Sequence, residues 1–227
     1  KTILFLNRRG FSTSTKCNQC GFELKCPRCN TNLANLFTAK KMVCCHCAYK
    51  TDVPNVCPKC KSSYLKSSGI GIEKLESEIA REFPQYRICR YDRTTKKVPE
   101  QFDIMIATQA VLHLKGRLWA DVMGVVLIDS EINRPDFRSG HKTFALLNHL
   151  RQMTKEKLII QTRHPDHYCI RYAAKGDFNK FYKEEIKARR ELEFPPFKHL
   201  VSVNVRAAKE DAAFDQANFI FQQMRKG

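Results

Sequence analysis

Short runs of apolar residues alternate along the chain with longer segments in which apolar positions recur every three or four residues. The run at 121–129, DVMGVVLID, has little polar interruption, which is typical of a strand buried on both faces of a parallel sheet. In the segment 72–83, Ile72, Leu75 and Ile79 fall on one helical face. The pattern predicts strands at 3–7, 86–92, 102–109, 121–129 and 157–162, and helices at 72–83, 142–153 and 170–193.

Strands that alternate with helices predict an α/β fold in which a parallel sheet is covered on both faces. The pair Pro195-Pro196 marks a boundary, beyond which the pattern predicts a strand at 199–207 and a helix at 210–226. Residues 17–60 show little regular pattern. We expect them to form an insertion in which bound metal replaces the hydrophobic core that so short a segment cannot build.

Cysteine spacing gives the clearest chemical signal in the chain. Eight of the eleven cysteines fall in four C-x-x-C pairs, and each pair places two thiolates on a tight turn, with the spacing of one edge of a tetrahedral zinc site. A disulfide framework does not require this repetition. The spacing therefore predicts two zinc sites, each with four thiolate ligands, in a reducing compartment, the cytosol. The pairs are Cys17/Cys20, Cys26/Cys29, Cys44/Cys47 and Cys57/Cys60.

Two zinc ions leave three ways of combining the four pairs. If neighbouring pairs combine, only five residues separate Cys20 from Cys26 within one site. If the outer pairs combine and the inner pairs combine, the inner loop is fourteen residues long, a length found in zinc ribbons. Spacing favours this nested arrangement only weakly, so all three combinations stay open on this ground.

The charge of the chain suggests a polyanionic partner. The formal net charge of the 227 residues is +17, and residues 1–66 contain twelve lysines and arginines against two acids. Eight thiolates on two zinc ions would still leave that segment at +6. Such an excess favours nucleic acid, through phosphate contacts and counterion release. No apolar run approaches the roughly 18 residues of a membrane span, and the start at Lys1 suggests a piece of a longer protein.

The candidate DNA contacts are basic residues of the insertion and of the loop before it. Aromatic residues such as Phe22 and Tyr49 lie among them, and a mixture of basic and aromatic side chains suits the binding of a nucleic-acid strand. The alternative is an ordinary solvated surface. The candidates are Arg8, Arg9, Lys25, Arg28, Lys40 and Lys41.

Several short segments resemble a known family in their sequence and in their order. They are FLNRRGFS, the four C-x-x-C pairs, GIGIEKLESEIAREFP, YDRTT, IATQ, LIDSE, PDFRS, IIQTRHPDH and LEFPPF. Together they closely resemble the C-terminal half of the bacterial replication-restart helicases of the primosomal protein N′ (PriA) family. The resemblance covers essentially the whole chain.

The resemblance implies a RecA-like second lobe of a superfamily-2 helicase at 1–16 and 61–194, a two-zinc module at 17–60, and the start of a small α+β C-terminal domain at 195–227. It implies branched or single-stranded DNA, single-stranded-DNA-binding protein and primosome or helicase-loading proteins as partners, in the bacterial cytoplasm near the nucleoid and away from membranes. It also implies nested zinc sites, with Cys17, Cys20, Cys57 and Cys60 on one ion and Cys26, Cys29, Cys44 and Cys47 on the other.

The chain departs from this family where nucleotide chemistry takes place. It has no G-x-x-x-x-G-K-[ST] loop, which the family carries in its first lobe, so ATP and Mg²⁺ are expected only if the full protein has that lobe. The family's Q-V-A-G-R-A-G-R segment before the IIQT strand is missing, and Arg151 is the only arginine there. Loss of an arginine finger typically costs about 10³-fold or more in rate.

A second nucleotide-binding motif is also altered. Thr108 and Gln109 remain from it, whereas Lys115 and Gly116 are displaced. We therefore expect a DNA-binding replication-restart protein that supports primosome assembly and whose ATPase and helicase chemistry is eroded. The alternatives are the second lobe of an active ATP-dependent 3′–5′ DNA helicase, in which another arginine fills the role, and a zinc-ribbon nucleic-acid adaptor.

Overall fold

The computed structural model describes residues 1–7, 14–28, 30–36, 39–44, 47–95, 97–134, 136–201 and 203–226. Within these residues the strands are β1 (Thr2–Phe5), β2 (Ser14–Cys17), β3 (Ala34–Leu36), β4 (Lys41–Val43), β5 (Lys50–Asp52), β6 (Leu65–Ser68), β7 (Ile88–Tyr91), β8 (Ile104–Ala107), β9 (Ala120–Val125) and β10 (Thr154–Ile160). The α-helices are α1 (Ile72–Glu82), α2 (Asp129–Ile132), α3 (Ser139–Gln152), α4 (Tyr168–Lys175), α5 (Phe178–Glu191) and α6 (Glu210–Lys226), and Gln109–Leu114 is a 3₁₀ helix.

A parallel sheet of five strands organises most of the chain. The strand order is β10–β9–β1–β8–β7. β1 lies in the middle, where Thr2 pairs with Ile104 of β8 on one side and with Val122 of β9 on the other. These are the five strands that the apolar runs predict, and the expected α/β fold with a parallel sheet is confirmed.

The main hydrophobic core lies on the face of the sheet that α3 covers. Phe5, Met105 and Met123 project into this core from three neighbouring strands and are buried. The rings of Phe144 and Phe181 stack there with their centroids 3.9 Å apart. Aromatic stacking of this kind adds to the stabilisation that comes from removing the apolar surface from water.

α1 covers part of the opposite face. Its Ile72 and Leu75 are buried together with Ile106 of β8. Beside α1 an open apolar cleft of about 460 Å³ remains, with Leu4 and Ile159 in its lining, and Ile159 is 50% exposed. The sheet is thus covered on both faces, as parallel sheets are, but less completely on the side of α1.

The C-terminal third differs from the expectation in two ways. The helix predicted at 170–193 is broken into α4 and α5 at Gly176, whose φ of 67° caps α4 in the left-handed conformation. A Cβ at this position would also collide with the guanidinium of Arg151. The strand predicted at 199–207 is wrong for the described residues, which are mostly exposed and have no neighbouring strand with which to pair. α6 forms as predicted.

The Cys-rich insertion has regular structure of its own. β2 and β6 form an antiparallel ladder in which Cys17 lies opposite Leu65, and this ladder brings the two ends of the insertion together. β3, β4 and β5 form a small antiparallel sheet. Leu24, Leu33 and Met42 form a small core. The pattern of residues 17–60 does not reveal these strands, because strands of three or four residues are too short to show a period. The expectation that the insertion builds no hydrophobic core is wrong.

The chain divides into two compact units, Lys1–Phe181 and Tyr182–Gly227. In the second unit, Arg189 bonds to the Glu185 carboxylate over 2.7 Å and to the carbonyl oxygen of Pro195 over 3.3 Å. The domain limits expected at 16/17, 60/61 and 194/195 stay predictions. Among the described helices, none has the length and apolar character needed to cross a membrane.

Candidate metal centre

The four C-x-x-C pairs adopt one backbone geometry. In each pair, the backbone carbonyl oxygen of the first cysteine accepts a hydrogen bond from the backbone N–H of the residue four positions later. The backbone N–H of the same cysteine donates a hydrogen bond to the carbonyl oxygen of the residue five positions later. The first set of bonds is Gly21 to Cys17 (2.9 Å), Asn30 to Cys26 (2.9 Å), Ala48 to Cys44 (3.0 Å) and Lys61 to Cys57 (2.9 Å). The second set is Cys17 to Phe22 (2.8 Å), Cys26 to Thr31 (2.8 Å), Cys44 to Tyr49 (2.8 Å) and Cys57 to Ser62 (2.7 Å).

This turn requires a left-handed residue directly after the second cysteine. The φ angles there are 73° at Gly21, 55° at Asn30, 58° at Ala48 and 60° at Lys61. Glycine and asparagine tolerate this conformation, whereas alanine and lysine adopt it at a cost of about 1 kcal/mol or more. Our sequence reasoning missed this position, although a glycine after the first pair and an asparagine after the second are a signal for it.

The turns also point backbone N–H groups at the sulfur of the first cysteine. Arg28 N donates to Cys26 Sγ over 3.4 Å, and Cys47 N donates to Cys44 Sγ over 3.5 Å. A hydrogen bond to sulfur favours the thiolate, which is the form that binds metal. These two turns therefore stabilise the anionic form of the first cysteine by their own backbone.

The first cluster joins the first and last pairs of the insertion. Cys17 Sγ lies 3.6 Å from Cys60 Sγ, and Cys20 Sγ lies 3.6 Å from Cys57 Sγ. All four sulfurs lie within 4.8 Å of one another. A Zn–S bond of about 2.3 Å sets the edge of a regular tetrahedron of sulfurs at about 3.8 Å. The spacing of the four sulfurs therefore fits a tetrahedral zinc ion and is far too long for disulfide bonds.

The second cluster brings together the two middle pairs. Cys26 Sγ lies 3.5 Å from Cys47 Sγ, and Cys44 Sγ completes a group of three within 4.8 Å. The Thr31 hydroxyl lies 3.2 Å from Cys44 Sγ. Cys29, the expected fourth ligand, lies outside the described residues. The two clusters have metal-binding geometry consistent with two zinc sites, and their grouping is that of the nested arrangement.

The electrostatics of the first cluster favour a divalent cation. The backbone hydrogen bond from Cys20, assisted by one from Gln19, outweighs desolvation and lowers the pKa of Cys17 to about 6. At Cys60 a backbone hydrogen bond from Ser62 favours the thiolate, but burial and the neighbouring sulfurs outweigh it and raise the pKa of Cys60 to about 12. Some thiols thus ionise readily, whereas the last ionises only if a cation offsets the repulsion between sulfurs.

The predicted DNA contacts are exposed where the structure describes them. Lys25, Arg28, Lys40 and Lys41 all lie on the surface of the insertion. The Arg28 guanidinium lies 5.4 Å from the centre of the Tyr49 ring, which is within the range of a cation–π contact. The amine of Lys41 forms an ion pair with Asp52 over 2.6 Å, so part of its charge is already offset. Arg8 and Arg9 lie outside the described residues.

The predicted nucleotide-binding remnant is spread along the 3₁₀ helix. Thr108 is buried at the carboxyl end of β8, and its hydroxyl accepts from the N–H of Ala110 over 3.4 Å, so it caps this helix. Gln109 is exposed at the same end. Lys115 and Gly116 are exposed at the far end, roughly 12 Å away for six residues of 3₁₀ helix. The structure therefore places Thr108 and Gln109 together at one end of the helix, and Lys115 and Gly116 at the other end.

Two carboxylates at the carboxyl edge of the sheet are held by protein donors. Asp129 accepts from the Thr162 hydroxyl over 2.6 Å and from the backbone N–H of Arg163. Glu131 accepts from the Asn7 amide and from the Arg134 guanidinium, both over 2.9 Å. Through Glu131, these bonds tie Asn7, two residues beyond the end of β1, to α2.

The fold and the clusters together define a class: a parallel α/β domain that carries a Cys-rich, metal-binding insertion after its central strand. No family model matches the chain. The chain is 30% identical over its whole length to the replication restart protein PriA of Borreliella burgdorferi, of which it covers 36%. It is 34% identical over 90% of its length to PriA of Bacillus subtilis (28% of that protein) and 32% identical over its whole length to PriA of Treponema pallidum (38%).

The chain is therefore homologous to the PriA replication restart proteins, as the sequence motifs predict. It spans roughly a third of the length of these relatives.

The pairing of the sites can be tested by counting zinc in double variants. We expect two zinc ions in the native mass spectrum of the unaltered chain and of a Cys89→Ser control. Cys20→Ser/Cys60→Ser removes two ligands of one cluster and should leave one ion, whereas Cys20→Ser/Cys47→Ser damages both clusters and should leave none. The reverse result for these two double variants would contradict the nested arrangement.

The left-handed turn residues predict a stability difference between two glycine substitutions. Lys61→Gly removes backbone strain and should raise the free energy of unfolding of the zinc-loaded insertion by up to about 1 kcal/mol. Lys59→Gly, in the same turn but without a positive φ, should lower it by about 0.5–1 kcal/mol. Urea unfolding followed by circular dichroism measures both. Equal effects of the two substitutions would show that the turn stores no strain at Lys61.

Proposed function

We propose that this chain is the zinc-bearing second lobe of a replication-restart protein and that it binds branched DNA. The observation that carries the proposal is homology to PriA proteins over the whole chain, together with two cysteine clusters. In this proposal the lobe comprises 1–16 and 61–194, the zinc module 17–60, and the start of a C-terminal domain 195–227. The protein acts in the bacterial cytoplasm, near the nucleoid.

The surface of the zinc module supports DNA contact. Lys25, Arg28 and Lys40 are exposed and form no ion pair with any described residue, so their charge is available to phosphate. The Tyr49 ring beneath Arg28 holds this guanidinium at the surface through a cation–π contact. Contacts to phosphate position a protein on DNA without reading its sequence, which suits a protein that recognises branched structures. Arg8, Arg9 and Lys41 complete the proposed DNA contacts.

We also propose protein partners for replication restart, and we infer them from the homology to PriA proteins rather than from a particular surface of the chain. We include single-stranded-DNA-binding protein and primosome or helicase-loading proteins among them. We propose that the two metal ions stabilise the folded conformation of the module to which these partners bind, because metal binding is coupled to folding of such modules.

We further propose that ATP-driven unwinding is eroded in this protein. Arg151 is the only arginine between Ser139 and Arg163, and it lies near the carboxyl end of α3. Because β10 begins immediately after α3, Arg151 lies at the amino edge of the sheet, whereas Thr108 and Gln109 lie at the carboxyl edge. A group that stabilises a transferring phosphate must be held within hydrogen-bonding distance of it, so Arg151 is badly placed for that role.

Two alternatives make different predictions. The chain could be the second lobe of an active 3′–5′ helicase in which an arginine from elsewhere acts as the finger, and Arg134 and Arg138, near the carboxyl edge, favour that candidate. It could instead be a zinc-ribbon adaptor for which the α/β lobe is only a support. DNA binding distinguishes neither alternative from the proposal, whereas ATP hydrolysis identifies the active helicase.

DNA binding is tested with a labelled forked duplex, by fluorescence anisotropy at several salt concentrations. Affinity should fall steeply with salt, and Lys25→Gln/Arg28→Gln/Lys40→Gln should reduce the slope of log K against log salt by about 2–3, since each lost phosphate contact removes about 0.9. The control Lys74→Gln/Arg81→Gln/Lys187→Gln removes three charges that already have carboxylate partners. A flat salt response, or equal loss in both variants, would contradict phosphate contact by the zinc module.

The erosion of the ATPase is tested on the full-length gene product with the same fork. We expect DNA-stimulated turnover far below about 1 s⁻¹, the lower end of ordinary enzyme rates, with fork binding retained. Turnover of about 1 s⁻¹ or more would establish the active helicase instead. With the fork at saturating concentration, so that weaker DNA binding does not limit the rate, Arg151→Gln should leave any residual rate unchanged, and Arg134→Gln and Arg138→Gln, assayed beside it, would identify a replacement finger.

A further inference from the structure

A second basic surface lies on the α/β lobe, away from the zinc module. It is an open cleft of about 460 Å³ beside β10, where α3 and α4 end. We call it the β10 cleft. Its lining includes Arg151, Thr154, Lys155, Glu156, Lys157 and Ala174.

Three basic side chains line the β10 cleft. Arg151, Lys155 and Lys157 form no ion pair with any residue that the structure describes, although many other exposed basic residues do. Glu156 is the single acid among the described residues of the lining. Asp121 lies close enough to influence Lys155 and offsets part of its charge.

The local structure brings these side chains to one place. Among the described strands β10 pairs with β9 alone and is therefore an edge strand. Its register shifts between Thr154 and Lys157, where Lys155 and Glu156 form a bulge. Bulges on edge strands change the direction of side chains and often lie beside binding sites. Arg151 is held against Gly176 at the end of α4, where no Cβ blocks its approach.

Each of these features also has a structural explanation. Charged residues on an edge strand prevent pairing with other chains, and cations near helix carboxyl ends offset the helix dipole. These explanations account for each residue separately. They do not require three unpaired cations from two elements to surround one cleft, and this convergence is the observation that points to an anionic ligand.

We propose that the β10 cleft binds the phosphate backbone of a single nucleic-acid strand, as a contact separate from the zinc module. The inference rests on the proposed DNA binding and adds a second site to it. A backbone ligand fits better than an acidic peptide, because peptide docking is dominated by a buried aromatic or arginine anchor, and no aromatic residue lines the cleft. Phosphate contact needs only well-placed cations.

The test uses the full, zinc-loaded chain and a fluorescent oligothymidine. Arg151→Gln/Lys155→Gln/Lys157→Gln should lower the salt slope of binding by about 2, since each phosphate contact to a single strand contributes about 0.7. The ion-paired control Lys74→Gln/Arg81→Gln/Lys187→Gln should bind as the unaltered chain does. Circular dichroism and thermal unfolding confirm that both variants fold.

A second readout does not depend on the variant. Acetylation of lysines, read by mass spectrometry, should be slowed at Lys155 and Lys157 by the oligonucleotide but not at Lys187. Protection of Lys155 and Lys157 by a glutamate-rich peptide and not by the oligonucleotide would overturn the proposal in favour of a protein partner.

The outcomes separate this inference from the proposed function. If the unaltered chain binds neither fork nor oligothymidine, both fail together. If it binds, and Lys25→Gln/Arg28→Gln/Lys40→Gln weakens binding while the β10 cleft variant matches the control, DNA binding by the zinc module stands and the β10 cleft proposal alone is wrong.

Discussion

The pairing of β2 with β6 is the constraint on which the insertion depends. This short ladder places the two ends of the Cys-rich segment side by side, with Cys17 at its end and Cys60 Sγ 3.6 Å from Cys17 Sγ. The first cluster therefore closes the insertion at its base, and the second cluster joins Cys26, which precedes β3, to Cys44 and Cys47, which lie between β4 and β5. Because β1, directly before the insertion, is the central strand of the sheet, the insertion is anchored to the best buried part of the lobe.

The same thiolates explain how a strongly basic segment is compatible with a metal centre. Backbone N–H groups in four equivalent turns stabilise negative charge on sulfur, and each cluster gathers that charge around a small volume. The basic side chains lie outside, on the surface, where solvent screens them from the sites. Separation of the two kinds of charge lets the module gather thiolates around its metal sites while its basic side chains stay exposed on the surface.

Much of the lobe could be predicted because its signals are strong and local. Five apolar runs identify the five strands of the sheet, and the four C-x-x-C pairs contain the seven described cysteines that the structure groups into two clusters. The short strands of the insertion and the break at Gly176 were missed, since three residues show no period and a helix-compatible glycine gives no clear stop signal. Which cysteine pairs share an ion depends on strand pairing between residues about 50 positions apart, and spacing along the chain does not determine it.

The closed base of the insertion has a consequence for folding. If the segment between β1 and α1 were unstructured, it would be a loop of roughly 66 residues. Packing of α1 against the sheet would then carry the entropic cost of closing that loop. Once the β2–β6 ladder forms, the effective loop shortens about sixfold, which lowers the entropic cost of closure by about 1.6 kcal/mol. Zinc available during synthesis would thus speed assembly of a sheet that it never touches, and zinc starvation would slow the folding of the α/β lobe as well as that of the module.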